Sequence, residues 1–190
     1  MDLRPATPAD LDAVDDIDAV LESTQYLHVD FANDPEAEIT SAQWKIEQRP
    51  LREKRIEANP ISDDLRFTLK QVITGGDEGV ALVFDHEDTV VALLLAQPRP
   101  DFGTMELIDL RVDYDYRRQG LATVLLFRLI ELAREAGCRA VSVSTISNNA
   151  PASVLLRKLG FELSGLDTRR RSNHDLVKEA ATLIWYYEIV

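Results

Sequence analysis

A single cysteine, Cys138, stands among 190 residues. It excludes an internal disulfide and, with no cysteine neighbour, a thiolate zinc site. Three histidines, His28, His86 and His174, are scattered without ligand spacing, so no metal is expected. No apolar run approaches the ~18 residues of a membrane-crossing helix. The opening MDLRPATPADLDAV offers neither a basic nor an apolar leader segment, so no secretory signal is expected from it and the expected setting is cytoplasmic. Basic residues are the other shortage: 21 Lys and Arg against 33 Asp and Glu leave a net charge of −12. Nucleic acid and anionic membranes both need basic footprints, and neither is expected as a partner. A cationic substrate such as an amine remains compatible. What is present, 45% hydrophobic and 28% charged residues, suits one globular domain over residues 1–190, long enough to bury a core.

Along the chain, DLRPA (2–6) reads as a short strand. Thr7 or Asp10 then caps a helix with apolar positions Leu11, Val14, Ile17 and Leu21, and Asp12, Asp15, Asp16 and Asp18 lie on its solvated face. Residues 22–60 predict a helix after Pro35, interrupted at Pro50 and ended before Pro60, in which Tyr26, Phe31 and Trp44 either pack under a loop or line an acceptor pocket. Ser62 caps a helix carrying Leu65, Leu69, Val72 and Ile73 and closed by Gly75 and Gly76. From Gly79 the period changes. GVALVFD and TVVALLLAQ form a hairpin about an HED turn, and MELIDLRVD is apolar enough to be a central strand. A helix over 120–136, the strand RAVSVSTI, a helix from Asn149 to Leu159, the strand FELSGLDTR and a last strand ATLIWYYEIV complete an α/β chain with a mixed sheet. Cys138 is expected to be buried at the start of a strand.

The stretch with most chemical content is YRRQGLATVLL, Tyr116 to Leu126. Charged and turn residues give way there to helical periodicity at Leu121, Val124, Leu125, Leu129 and Leu132. A strand that turns tightly into a helix presents unpaired amides and the positive end of the macrodipole, which bind anions. Gly120 lets a phosphate approach the backbone, and Arg117 and Arg118 add rim charge. The pattern is neither a G-x-x-x-x-G-K-[ST] loop nor a G-x-G-x-x-G fingerprint. On its own it is equally an ordinary connection with solvated arginines.

The partner segment NAPASVLLRKLGF (149–161) decides between these readings. R-x-x-G-x-A opening a helix, followed some 30 residues on by N-x-x-A-x-x-L-x-x-K-x-G-F, resembles the two acyl-CoA motifs of the GNAT superfamily of N-acetyltransferases. The likeness runs from about Gly79 to the C-terminus, and the tail is similar to that of streptothricin acetyltransferases and their relatives. It implies the GNAT acyl-CoA N-acyltransferase fold, a mixed central sheet flanked by helices, with acetyl-CoA as co-substrate and a small-molecule primary amine as acceptor. By position, main-chain groups of Leu110, Arg111 and Val112 are implied to pair with the pantetheine arm. Arg117, Arg118, Gln119, Gly120, Leu121, Ala122 and Thr123 are implied to hold the pyrophosphate. Asn149 and Ala152 are implied to lie along the pantetheine arm, with Leu155, Arg157 and Lys158 as weaker contacts near the cofactor. Asn149 is also a natural helix N-cap.

Aminolysis of a thioester needs a neutral amine, an oxyanion stabiliser and a place for the departing thiolate. Glu106 falls where family members carry a glutamate base, and Asp109 follows closely. A carboxylate in an apolar strand is costly, which invites a functional reading beside the bland one of a salt-bridged side chain. Family members often place a tyrosine acid four residues before the glycine of the G-F pair, and here that residue is Leu156. The thiolate then leaves unaided, or Tyr186, Tyr187 or Ser153 substitutes, or the chain is a catalytically weak acyl-CoA-binding module. A protein N-terminal acetyltransferase is a third reading. Family members are often dimers, which leaves a homodimer open.

Overall fold

The computed structural model describes the backbone of residues 1–33 and 42–190 and the side chains of residues 1–30 and 44–190. In chain order the elements are β1 (Asp2–Pro5), α1 (Asp10–Ala13) with a 3-10 turn (Val14–Asp16), β2 (Leu21–Asn33), β3 (Ala42–Glu57) and α2 (Asp63–Thr74). There follow β4 (Val80–His86), β5 (Thr89–Arg99), β6 (Thr104–Val112), α3 (Leu121–Glu135), β7 (Ala140–Ile146), α4 (Ala150–Lys158), β8 (Glu162–Asp167) and β9 (Thr182–Glu188). Seven strands make a mixed sheet in the order β1-β4-β5-β6-β7-β9-β8, and β2 and β3 form a second, two-stranded sheet. The chain divides into two compact units. One holds Met1–Val20, Glu57–Val143 and Tyr186–Val190; the other holds Leu21–Ile56 and Ser144–Trp185. Among the described residues no helix is long and apolar enough to cross a membrane.

In the first unit, β1, β4, β5 and β6 pair antiparallel and β6 pairs parallel with β7. Seven consecutive residues of β5, Val90 to Ala96, are buried, because helices cover both faces of the sheet there. Val14, Ile17, Leu69, Val83, Leu93 and Leu95 form the core beneath α1 and α2. On α3 the buried positions are Leu121, Leu125, Leu126, Leu129, Ile130 and Ala133. The β4–β5 turn has positive φ at Glu87 (50°) and Asp88 (61°), the backbone twist that a two-residue hairpin turn requires. Helix α2 begins as expected: Ser62 Oγ accepts from Leu65 N–H (3.2 Å), and Gly75 closes the helix at φ 75°.

Several expectations change. The first helix is one turn plus a 3-10 turn, and Leu21 opens β2 instead of extending it. No side chain caps α1; Asp10 reaches back to the Thr7 amide (2.7 Å) and hydroxyl (2.9 Å). The helix expected within 22–60 is two strands over its described part. STQYLHV carries the β-branched and aromatic residues of a strand, and Pro50 sits in an edge strand of a two-stranded sheet, where proline is tolerated. The start of that expected helix lies outside the described residues, as does the Phe31 side chain. Val124 is 46% exposed and not part of the core, because the inward stripe of α3 runs through 121, 125 and 129. Cys138 is only half-buried and sits in the turn that closes α3, its amide bonded to Ala133 O (2.9 Å).

Arg4 clamps β1 to α1 and β4. Its guanidinium donates to both oxygens of Asp10 (2.8 Å each) and to Asp85 (2.9 Å). The Arg4 hydrogen bond, against a burial penalty of opposite sign, lowers the Asp10 pKa to about 2. A lowered carboxylate pKa stabilises the fold above the unfolded-state value and loses that contribution as pH falls through the folded one. Wild type is therefore expected to exceed Asp10→Asn by roughly 2 kcal/mol at neutral pH, with the gap closing between about pH 4 and pH 2. Urea unfolding of both proteins across that range checks it.

Candidate active site

In the first unit the candidate residues cluster on β6 and the turn after it. The β6–β7 ladder runs from Thr104↔Ala140 to Leu107↔Val143 and ends there. Between Leu107, opposite Ala96, and Asp109, opposite Leu95, Ile108 is an extra residue, a β-bulge. Beyond it Leu110, Arg111 and Val112 pair with β5 at Leu94, Leu93 and Ala92, while β7 no longer follows. One edge of this half-strand is thus left to offer main-chain groups to a ligand.

The two acidic candidates have different surroundings. Asp109 is engaged by Arg111 through two hydrogen bonds, Nε to Oδ2 (2.6 Å) and Nη2 to Oδ1 (3.1 Å). Arg111 is 4% exposed and also donates to the Asn59 carbonyl (3.2 Å) just before α2. A carboxylate with both oxygens committed to a buried guanidinium serves the fold. Glu106, opposite Gln97, has one oxygen on Arg99 Nε. Its side chain keeps 25% exposure. Arg99 itself lines a recess of about 360 Å³ with Asp77, Glu78, Gln97, Pro98 and Pro100. The sequence reading missed Arg99 because only the strand register brings it to Glu106.

The turn is pinned to the end of β6. Arg117 donates from Nε to Val112 O (3.2 Å) and from Nη2 to Val20 O (2.6 Å), and its guanidinium lies 5.2 Å from the Tyr114 ring centroid. Its charge therefore holds the turn together as well as biasing it. Arg118 (φ 64°) and Gly120 (φ 88°) both adopt the left-handed region. Gly120 gives α3 no side-chain cap, and Val124 N–H to Gly120 O (3.1 Å) is the first bond of the helix. Among the described residues nothing accepts from the amides of Leu121, Ala122 and Thr123. A Cβ built on Gly120 meets no atom within 4 Å, so the space beside Gly120 is open. Gln119 turns back to Asp115 O (3.4 Å). Free amides at a helix start are the kind of group that can bind an anion.

In the second unit, Asn149 caps α4, its Oδ1 accepting from Ala152 N–H (3.3 Å). Ala152 and Leu155 are half-buried, and Leu156 is buried at 3% exposure. Ser153, one turn before Leu156, joins Thr145 of β7 (3.1 Å between oxygens), and Thr145 accepts from Trp185 Nε1–H (2.9 Å). Tyr26 is buried on β2, whereas Trp44 on β3 is 40% exposed. In the first unit the Tyr186 ring lies 6.0 Å from the Arg139 guanidinium. No group of three metal-ligating side chains occurs among the described residues.

Comparison with known proteins agrees with this fold. The chain is 34% identical over 80 residues to streptothricin acetyltransferase A of Bacillus subtilis (strain 168), covering 42% of this chain and 46% of that protein. The match thus spans about half that relative's length. It is 30% identical over 120 residues to the [ribosomal protein bS18]-alanine N-acetyltransferase of Salmonella typhimurium, covering 63% of this chain and 72% of the relative. The crystal structure of nourseothricin acetyltransferase superposes with a TM-score of 0.75 at 18% identity, over 98% of this chain and 97% of that one. Residues 38–161 match the acetyltransferase (GNAT) family, and the chain belongs to it.

Proposed function

We propose that the protein transfers an acetyl group from acetyl-CoA to the primary amine of a small molecule, by direct attack in a ternary complex. The observation that carries this reading is the uncapped start of α3, set directly behind the half-strand of β6 that β7 no longer covers. The amides from Arg118 to Thr123 hold the pyrophosphate, the main chain of Leu110, Arg111 and Val112 pairs with the pantetheine arm and turns an amide toward the developing oxyanion, and Asn149, Ala152 and Leu155 flank the arm. Glu106 takes the proton from the attacking amine, directly or through water. Asp109 is the weaker candidate because Arg111 occupies both its oxygens.

Two alternatives have support of their own. The similarity to a ribosomal-protein alanine acetyltransferase favours a protein N-terminus as acceptor, and Leu156 favours a module that binds acyl-CoA with slow turnover. One experiment separates all three. Acetyl-CoA is titrated calorimetrically, and release of free thiol is followed with a panel of small amines and of peptides beginning in alanine. Binding with amine-dependent thiol release is expected. Release with the peptides alone redirects the acceptor, binding without release leaves the module, and no binding overturns the reading.

A further inference from the structure

We propose that Arg99 is a positioning residue for acetyl transfer: its guanidinium fixes one carboxylate oxygen of Glu106 and leaves the other free to take the proton of the acceptor amine. This role rests on the acetyl-transfer reading, with Glu106 as its base. The strand register brings the two side chains together. Gln97 stands opposite Glu106 and Arg99 opposite Thr104, so Arg99 shares the face of the sheet that Glu106 occupies, and its Nε donates diagonally to Glu106 Oε2. Arg99 also lies between Pro98 and Pro100. A proline fixes its own φ, and the residue before a proline is kept extended. The backbone of Arg99 (φ −116°, ψ 86°) therefore carries the side chain in a preset direction. Among the described residues Glu106 has no other partner, and none of them claims its second oxygen.

As a brace for the fold the pair is poorly placed. The Arg99 side chain is 48% exposed, and ion pairs that solvent reaches add little stability. Asp109 is the contrast, with both oxygens held by a buried guanidinium. A guanidinium does not give up its proton in a protein, so Arg99 is neither acid nor base in the reaction. It supplies orientation and a fixed charge. Holding one oxygen removes the rotamers of Glu106 that would miss the amine. Arg99 is also the one cation among the described residues that line the recess with Asp77 and Glu78, through which the amine approaches. In the step itself the amine nitrogen bonds to the carbonyl carbon and its proton passes to the free oxygen of Glu106. The carbon–sulfur bond breaks and its electron pair goes to sulfur. Glu106 then returns its proton to water, the thiolate takes one from water, and Arg99 keeps its own.

Arg99→Ala, Arg99→Lys and Glu106→Gln test this, with thiol release from acetyl-CoA followed for the small amine that the wild type turns over fastest. Arg99→Ala is expected to lower kcat about 10- to 100-fold, the scale of a reacting group misplaced by about 1 Å, with acetyl-CoA affinity and Tm unchanged. Guanidinium chloride, added well below the concentrations that unfold proteins, is expected to restore part of that rate by taking the vacated place beside Glu106, and to leave Glu106→Gln slow. Arg99→Lys keeps the charge without the planar fork and is expected to fall between the two. An unchanged kcat in Arg99→Ala overturns the proposal. So does a loss that guanidinium does not relieve, which is what a packing defect gives. Glu106→Gln as fast as a working wild type removes the base and the role of Arg99 with it. A wild type that releases no thiol with any amine overturns the acetyl-transfer reading itself.

Discussion

Gly120→Glu is expected to abolish acetyl-CoA binding while leaving the protein folded. The two effects of this change separate cleanly. At φ 88° any residue with a Cβ pays about 1–2 kcal/mol of backbone strain. The open space above Gly120 means that no steric clash adds to it. A carboxylate at a helix start favours the helix by some tenths of a kcal/mol, so α3 survives. That carboxylate, however, occupies the amides of Leu121, Ala122 and Thr123 and repels a pyrophosphate. Two like charges about 5 Å apart at an effective dielectric of 20 cost roughly 3 kcal/mol, a factor above 100 in affinity. Gly120→Ala, which has the strain without the charge, is expected to bind only a few-fold more weakly. Calorimetric titration of acetyl-CoA into the three proteins decides it. Equal affinity for wild type and Gly120→Glu would remove this turn from the binding site.

The second large effect concerns the base. Glu106→Gln keeps an oxygen for Arg99 and is expected to lower kcat by about 10²–10⁴, with acetyl-CoA affinity unchanged. Asp109→Asn is expected to behave in the opposite manner. It leaves the buried Arg111 charge uncompensated and destabilises the fold by about 3 kcal/mol, visible as a lower Tm, with turnover of the folded fraction near normal. Steady-state kinetics and thermal melts on both variants read the two roles independently. If Asp109→Asn abolishes turnover at an unchanged Tm, the assignment of base passes from Glu106 to Asp109.

Much of this layout was legible in the residues because local chemistry and tertiary structure agree there. Ser62 and Gly75 mark α2 by capping alone, and two β-rich runs about a short polar turn announce the β4–β5 hairpin. The motif around Gly120 is local too, since the helix start and its amides lie within a few residues. What escaped depends on partners distant in the chain. AQWKIEQRPLREKRIE is composed largely of good helix formers, and it is a strand because β2 lies beside it. The Arg111–Asp109 clamp was hidden for a related reason: a salt-bridged Asp109 and a catalytic one look alike in the sequence, and the buried guanidinium and its Asn59 carbonyl partner are set by residues distant in the chain. The Thr145–Ser153–Trp185 chain draws on three elements, and nothing in their spacing signals it.

The bulge at Ile108 sets the parity of β6. In an unbroken strand residues 106 and 109 point to opposite faces. The extra residue shifts the phase by one, so Glu106 follows Gln97 and Asp109 follows Leu95 on the same side of the sheet. A substitution at 108 changes packing under α2, but a deletion there re-indexes every residue on one side of it and turns either the carboxylate or the Arg111 clamp outward. For directed evolution this makes position 108 a site where side chains can be sampled and chain length cannot.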